Sequence, residues 1–154
     1  MGMKVIKTAD ASQTEKIAEI IGGNLHGGEV IELVSDLGGG KTTFTRGLAK
    51  GFGSTDRVAS PTFTISKVYK SGNKEMHHFD FYRLPQAGLI EHELADVLTD
   101  KKCVVVVEWA DVVKHVLPAK RLTINFRQTQ EDGRELNIKC ADELSYLMEG
   151  LPEA

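Results

Sequence analysis

Apolar positions in this chain recur at two intervals, every second residue or every third to fourth, and the switches between them lay out its elements. Residues 4–7 form a short strand-like run. Ser12, Gln13, Thr14 and Glu15 then spell the S-x-x-E pattern that opens helices, and Ile17, Ile20, Ile21 and Leu25 fall on one helical face behind it. Residues 29–34 read as a strand and 41–51 as a helix, with Phe44, Leu48 and Phe52 at helical spacing. The runs 64–70 and 75–82 flank Ser71-Gly72-Asn73, which predicts a hairpin. Leu89, Leu94 and Leu98 predict a short helix. Cys103 to Val107 are five consecutive β-favouring residues, the form of a strand buried on both faces. After Pro118, residues 122–126 and 136–140 alternate apolar with polar around the turn at Gln130-Glu131-Asp132-Gly133, a second hairpin. The sum is one α/β domain over 1–154, with a mixed, mostly parallel central sheet, antiparallel hairpin additions and flanking helices.

Chemistry enters at the second strand. Ser35-Asp36-Leu37-Gly38-Gly39-Gly40-Lys41-Thr42 links it to the following helix, the arrangement of a P-loop. Glycines let backbone N–H groups turn towards phosphate oxygens, and the helix start adds partial positive charge. Lys41 is expected to reach the β- and γ-phosphates and the Thr42 hydroxyl to bind Mg²⁺. Ser35 stands where the pattern has its first glycine. The expected ligands are ATP or ADP with Mg²⁺; the chain lacks an N-K-x-D guanine signal, which leans towards adenine.

A P-loop needs a carboxylate at a neighbouring strand end to bind the metal or handle the attacking water. Two candidates qualify. Glu108 closes the run Val104 to Val107, and Asp80 lies at the end of the segment His77-His78-Phe79-Asp80. The sequence leaves their two roles interchangeable. His77 and His78 are adjacent, so on a strand they point to opposite faces and at most one can face the site. His92, between Glu91 and Glu93, fits a solvated helix face. Ser60-Pro61-Thr62-Phe63 is either a loop that senses Mg²⁺ or the γ-phosphate, or a proline-stiffened entry into a strand.

Composition changes this picture in three respects. A net charge of −3 and a pI near 6.0 provide no basic field for DNA or RNA, so any tRNA contact is expected to be indirect or weak. No apolar run approaches the ~18 residues of a membrane span, and a cytoplasmic protein is expected. Cys103 and Cys140 lack C-x-x-C spacing and fit buried thiols better than a disulfide or a zinc site.

Asp36 to Phe44, Ser60 to Phe63, His78-Phe79-Asp80-Phe81-Tyr82-Arg83-Leu84 and Val107-Glu108-Trp109, in this order in a chain of 154 residues, resemble the TsaE (YjeE) family, the small ATPases of bacterial tRNA threonylcarbamoyladenosine synthesis. The resemblance runs from about Glu29 to the Gly133-Arg134 turn. It implies that Asp36, Leu37, Gly38, Gly39, Gly40, Lys41 and Thr42 cradle the nucleotide and that Thr43 lies against it. By the same resemblance, Thr62, Asp80 and Glu108 surround the γ-phosphate and a metal held by Thr42, Asp80 and Glu108. Lys41, Asp80 and Glu108 are then the catalytic set, and Trp109 sits beside them. The implied partners are the TsaD and TsaB proteins. Two positions depart from the family pattern: Ser35 replaces a glycine, and Ala110 stands where proline is frequent. Two other readings use the same loop, a small-molecule kinase and a non-hydrolysing nucleotide sensor.

Overall fold

In the computed structural model, which describes residues 2–35, 40–58, 66–82, 88–130 and 132–153, the chain opens with strand β1 (Gly2–Thr8) and helix α1 (Ala11–Gly23), followed by β2 (Val30–Val34) and α2 (Lys41–Phe52). The hairpin β3 (Ser66–Ser71) and β4 (Lys74–Asp80) precedes α3 (Ile90–Leu98) and β5 (Cys103–Glu108). A 3₁₀ segment, Ala110–Val116, leads to the second hairpin, β6 (Leu122–Gln128) and β7 (Arg134–Cys140), and a second 3₁₀ segment, Asp142–Met148, ends the fold. Among the described residues the strands form one sheet in the order β1-β7-β6-β2-β5-β4-β3. The four central strands β6, β2, β5 and β4 are mutually parallel, and the antiparallel pairs lie outside them.

The apolar run of β5 occupies the sheet's middle, where every residue from Cys103 to Glu108 is buried. Its side chains serve two cores. Val104 and Val106 pack under α1 and α2 with Ile21, Phe44 and Leu48. Val105 and Val107 pack on the opposite face with Phe79, Phe81 and Leu94. This parity decides which face receives each polar residue on β4 and β5.

Helices α1 and α2 touch backbone to backbone. A Cβ on Gly47 would lie 2.3 Å from the Glu15 carbonyl oxygen, and one on Gly51 2.1 Å from that of Glu19. The helix start predicted at Ser12 moves. The N-cap is Asp10, whose carboxylate accepts from Gln13 N at 2.9 Å, while Gln13 Oε1 accepts from Ala9 N at 2.8 Å. This D-x-x-Q arrangement lies two residues earlier and is a variant of the capping box in which Gln13 reaches the residue before the cap. A charged cap gains more from the helix dipole than a serine does, and the shift keeps Thr14 on the buried face, where its hydroxyl meets that of Thr8 at 2.6 Å.

Candidate functional site at the carboxyl edge of the sheet

Parallel register brings the acids together. Met76, His78 and Asp80 lie beside Val104, Val106 and Glu108. Because Met76, Val104 and Val106 belong to the core under α2, His78, Asp80 and Glu108 face that helix too. His77 faces the other way, as adjacency on a strand requires. The two carboxylates therefore stand side by side at the end of the central strands, where ligands bind in open α/β sheets.

Lys41 opens α2 on the same face. Its ammonium, on a side chain only 7% exposed, donates to the Ser35 carbonyl at 3.0 Å, lies 3.8 Å from Glu108 Oε1 and sits 4.4 Å from the centre of the Trp109 ring. A buried ion pair of this kind roughly breaks even against its desolvation, so it is poor evidence for stability and good evidence for a site. The other Glu108 oxygen accepts from Nε2 of His78, which is fully buried. That leaves His78 Nδ1 buried without a hydrogen-bond partner among the described residues.

Burial first, and the neighbouring Glu108 charge second among the raising causes, push Asp80 above the usual carboxylate range. The Tyr82 N–H, at 3.0 Å from Asp80 Oδ1, pulls it back, as do His78 and Lys41. Trp109 follows Glu108 with φ 56° and ψ 53°, a left-handed conformation that no other non-glycine shares among the described residues. That turn lays its ring over Lys41 and 4.9 Å from Tyr82. Such strain persists only where the surroundings hold it. A cleft of about 290 Å³ opens beside it, lined in part by Ser35, Trp109, Lys114 and Asn125.

The start of α2 has the electrostatics of an anion site. Its N-cap, Gly40, has φ 98°, so glycine is needed there; Gly40 offers no side chain to cap the first turn, and that turn has no acidic residue. Thr42 and Thr43 lie in that turn, both partly buried. Of the residues singled out from sequence, the fold gathers Gly40, Lys41, Thr42, Thr43, Asp80, Glu108 and Trp109 at this edge. Asp36, Leu37, Gly38, Gly39 and Thr62 lie outside the described residues. The sequence reading left open which of His77 and His78 faces the site; His78 does, and its bond to Glu108 depends on the register of two strands. One neighbour escaped that reading. Arg134 comes from β7, far along the chain, and its Nε would lie 3.4 Å from a Cβ placed on Gly40.

The family model described as threonylcarbamoyl adenosine biosynthesis protein TsaE matches residues 8–136. The chain is 39% identical over 142 residues to the tRNA threonylcarbamoyladenosine biosynthesis protein TsaE of Bacillus subtilis, covering 88% of this chain and 86% of that protein. The protein of the same name from Rickettsia felis is 31% identical over 140 residues, covering 90% and 81%. Among solved structures, the crystal structure of Bacillus subtilis YdiB superposes with a TM-score of 0.78 at 33% identity, covering 96% of this chain and 93% of that one. With the match spanning β1 to β7, the chain belongs to the TsaE family of threonylcarbamoyl adenosine biosynthesis proteins.

Proposed function

We propose that this chain is an ATPase that works in tRNA threonylcarbamoyladenosine synthesis, using Mg²⁺ and acting through its nucleotide state on the TsaD–TsaB pair. The observation that carries the reading is the convergence on one face of the α2 start at Gly40, the buried Lys41 ammonium and the paired carboxylates of Asp80 and Glu108. The phosphates of ATP meet the N-terminus of α2, and Lys41 exchanges Glu108 for phosphate oxygens.

The residues fit a divalent cation. Burial and the Glu108 charge raise the Asp80 pKa and so disfavour its negative charge, a cost that a cation would offset, and Thr42 stands at the helix start where a hydroxyl ligand is needed. Thr42 and Asp80 would hold Mg²⁺, which would supply neutralisation of phosphate charge. Glu108, gripped by His78 on one oxygen, orients the attacking water and accepts its proton. The water oxygen bonds to the γ-phosphorus, the bond to the β-phosphate oxygen breaks, and ADP and phosphate leave. Trp109 keeps Lys41 in place before nucleotide arrives.

Glu108→Gln is expected to retain ATP binding and lose hydrolysis, while Asp80→Asn raises the Mg²⁺ concentration needed for turnover. The partner half is tested by measuring ATP turnover with and without TsaD and TsaB, and by pull-down with ATP, ADP and no nucleotide. No stimulation and no complex in any of the three states overturns it. ATP binding without turnover in the parent protein turns the reading into that of a nucleotide sensor.

A further inference from the structure

At the opposite end of β4 and β5, on the face away from α2, a second set of ligand-type side chains meets. Glu75 lies beside Cys103 in parallel register, and His77 follows two residues on along β4, so all three point to the same side of the sheet. His77 Nε2 and Glu75 Oε1 are 3.1 Å apart, and Cys103 Sγ is 4.0 Å from the same Glu75 oxygen. One donor atom from each residue lies within 4.8 Å of the others. Five residues separate Glu75 from Asp80 along β4, about 16 Å at ~3.3 Å per residue. The set is thus distinct from the nucleotide-binding edge.

We propose that Glu75, His77 and Cys103 form a zinc site. A thiolate, an imidazole and a carboxylate are the donor set that Zn²⁺ selects over Mg²⁺ or Ca²⁺. Bonds of ~2.0–2.3 Å in a tetrahedron require donors roughly 3.3–3.7 Å apart. Two of the three separations, 3.1 and 4.0 Å, bracket that spacing, and all three lie within 4.8 Å. Coordination through Nε2, the ring nitrogen that faces Glu75, places the ring proton on the buried Nδ1. A water completes the tetrahedron. On binding, the Cys103 S–H bond breaks, Sγ bonds to zinc and the proton passes to solvent. The missing C-x-x-C spacing reflects donors that come from two neighbouring strands.

The cation would tie the β3–β4 hairpin to the α3–β5 connection. A thiolate separates this site from adventitious binding at Asp80 and Glu108, which offer only oxygen. The test is titration of the metal-free full-length chain with Co²⁺ as a probe, followed by displacement with Zn²⁺. One equivalent of Co²⁺ is expected to give a thiolate-to-cobalt charge-transfer band that Zn²⁺ abolishes. The band should vanish in Cys103→Ser and in His77→Ala and persist in Cys140→Ser and Glu108→Gln. Native mass spectrometry should count one Zn²⁺ on the parent chain and none on His77→Ala, with circular dichroism confirming that both are folded. Absence of the band in the parent, or its survival in Cys103→Ser, overturns the proposal. If Cys103→Ser does not fold, His77→Ala and Glu75→Gln decide it in the same way.

Discussion

Among the described carboxyls, Asp80 is one whose negative charge the fold disfavours. Burial is the main cause of its raised pKa, so the folded chain holds a proton on that carboxyl more tightly than the unfolded chain does. Where the folded state binds more protons, stability falls as pH rises, here across the window from the ordinary carboxylate value up to the raised one. Asp80→Asn escapes that loss while keeping an oxygen to accept from Tyr82 N. Without nucleotide its melting temperature should match the parent's below about pH 4 and exceed it at pH 7. A fluorimetric melting series across pH checks this, and an equal or lower value at neutral pH refutes it. His78 acts through Glu108. Removing a side chain that orients a group in a metal-phosphate site costs about 10–100-fold, so His78→Ala should lower kcat by that amount with a smaller change in KM, as read from steady-state hydrolysis. These positions differ in how far sequence could reveal them. Lys41, Asp80 and Glu108 sit in short words whose chemistry is local. The pairing of His78 with Glu108 depends on the register of two separate strands, and the approach of Arg134 to Gly40 on the path of β7, neither of which any local pattern encodes.

Among the elements, the contact between α1 and α2 sets the position of Lys41, the first residue of α2. Alanine in a helix interior is favoured over glycine by about 1 kcal/mol, yet at Gly47 the new methyl would lie 2.3 Å from the Glu15 carbonyl oxygen and 2.6 Å from Ala18 Cβ. Backbone of a packed neighbour does not yield cheaply, and overpacking of this sort costs about 1–3 kcal/mol. Gly47→Ala and Gly51→Ala should therefore lower the denaturant midpoint. Gly23→Ala, with only ordinary van der Waals contact at 3.8 Å, should leave the midpoint unchanged or raise it. Equilibrium unfolding in urea distinguishes the two classes. The strands were legible for a related reason: the five-residue run of β5 has no amphipathic reading, and the alternations of β6 and β7 have one solution on a sheet with a covered face. Helix α1 was legible in its stripe but not in its first residue, since two capping patterns two residues apart compete, and the charged Asp10 cap together with the contact of Thr14 with Thr8 selects between them. The 3₁₀ segments Ala110–Val116 and Asp142–Met148 are too short to establish a helical period, and no sequence pattern announced them.

At the scale of the molecule, a helix start with glycine at its N-cap and a lysine resting on an aromatic ring lie together, and under the proposed function both tie nucleotide binding to global observables. Under the proposed function, ATP with Mg²⁺ binds the folded chain and not the unfolded one, its phosphates meeting the start of α2 and the buried Lys41 of the Lys41–Glu108 pair. At a hundredfold excess over Kd this adds about 2.7 kcal/mol, which for a chain of this size raises Tm by about 5–10 °C. Trp109 is the single tryptophan, so emission reports one location. An ammonium 4.4 Å from its ring perturbs the indole, and phosphates that draw Lys41 away remove that perturbation. Nucleotide titration should change the emission with the same midpoint that the thermal shifts give. Lys41→Ala should start near the nucleotide-bound emission and lose both responses. Were emission to respond in Lys41→Ala as in the parent, the signal would come from the surrounding loop, and the ring would have no part in holding the lysine. Agreement of the two midpoints, together with their joint loss in Lys41→Ala, would tie the left-handed turn at Trp109 to the phosphate site through a single displaced charge.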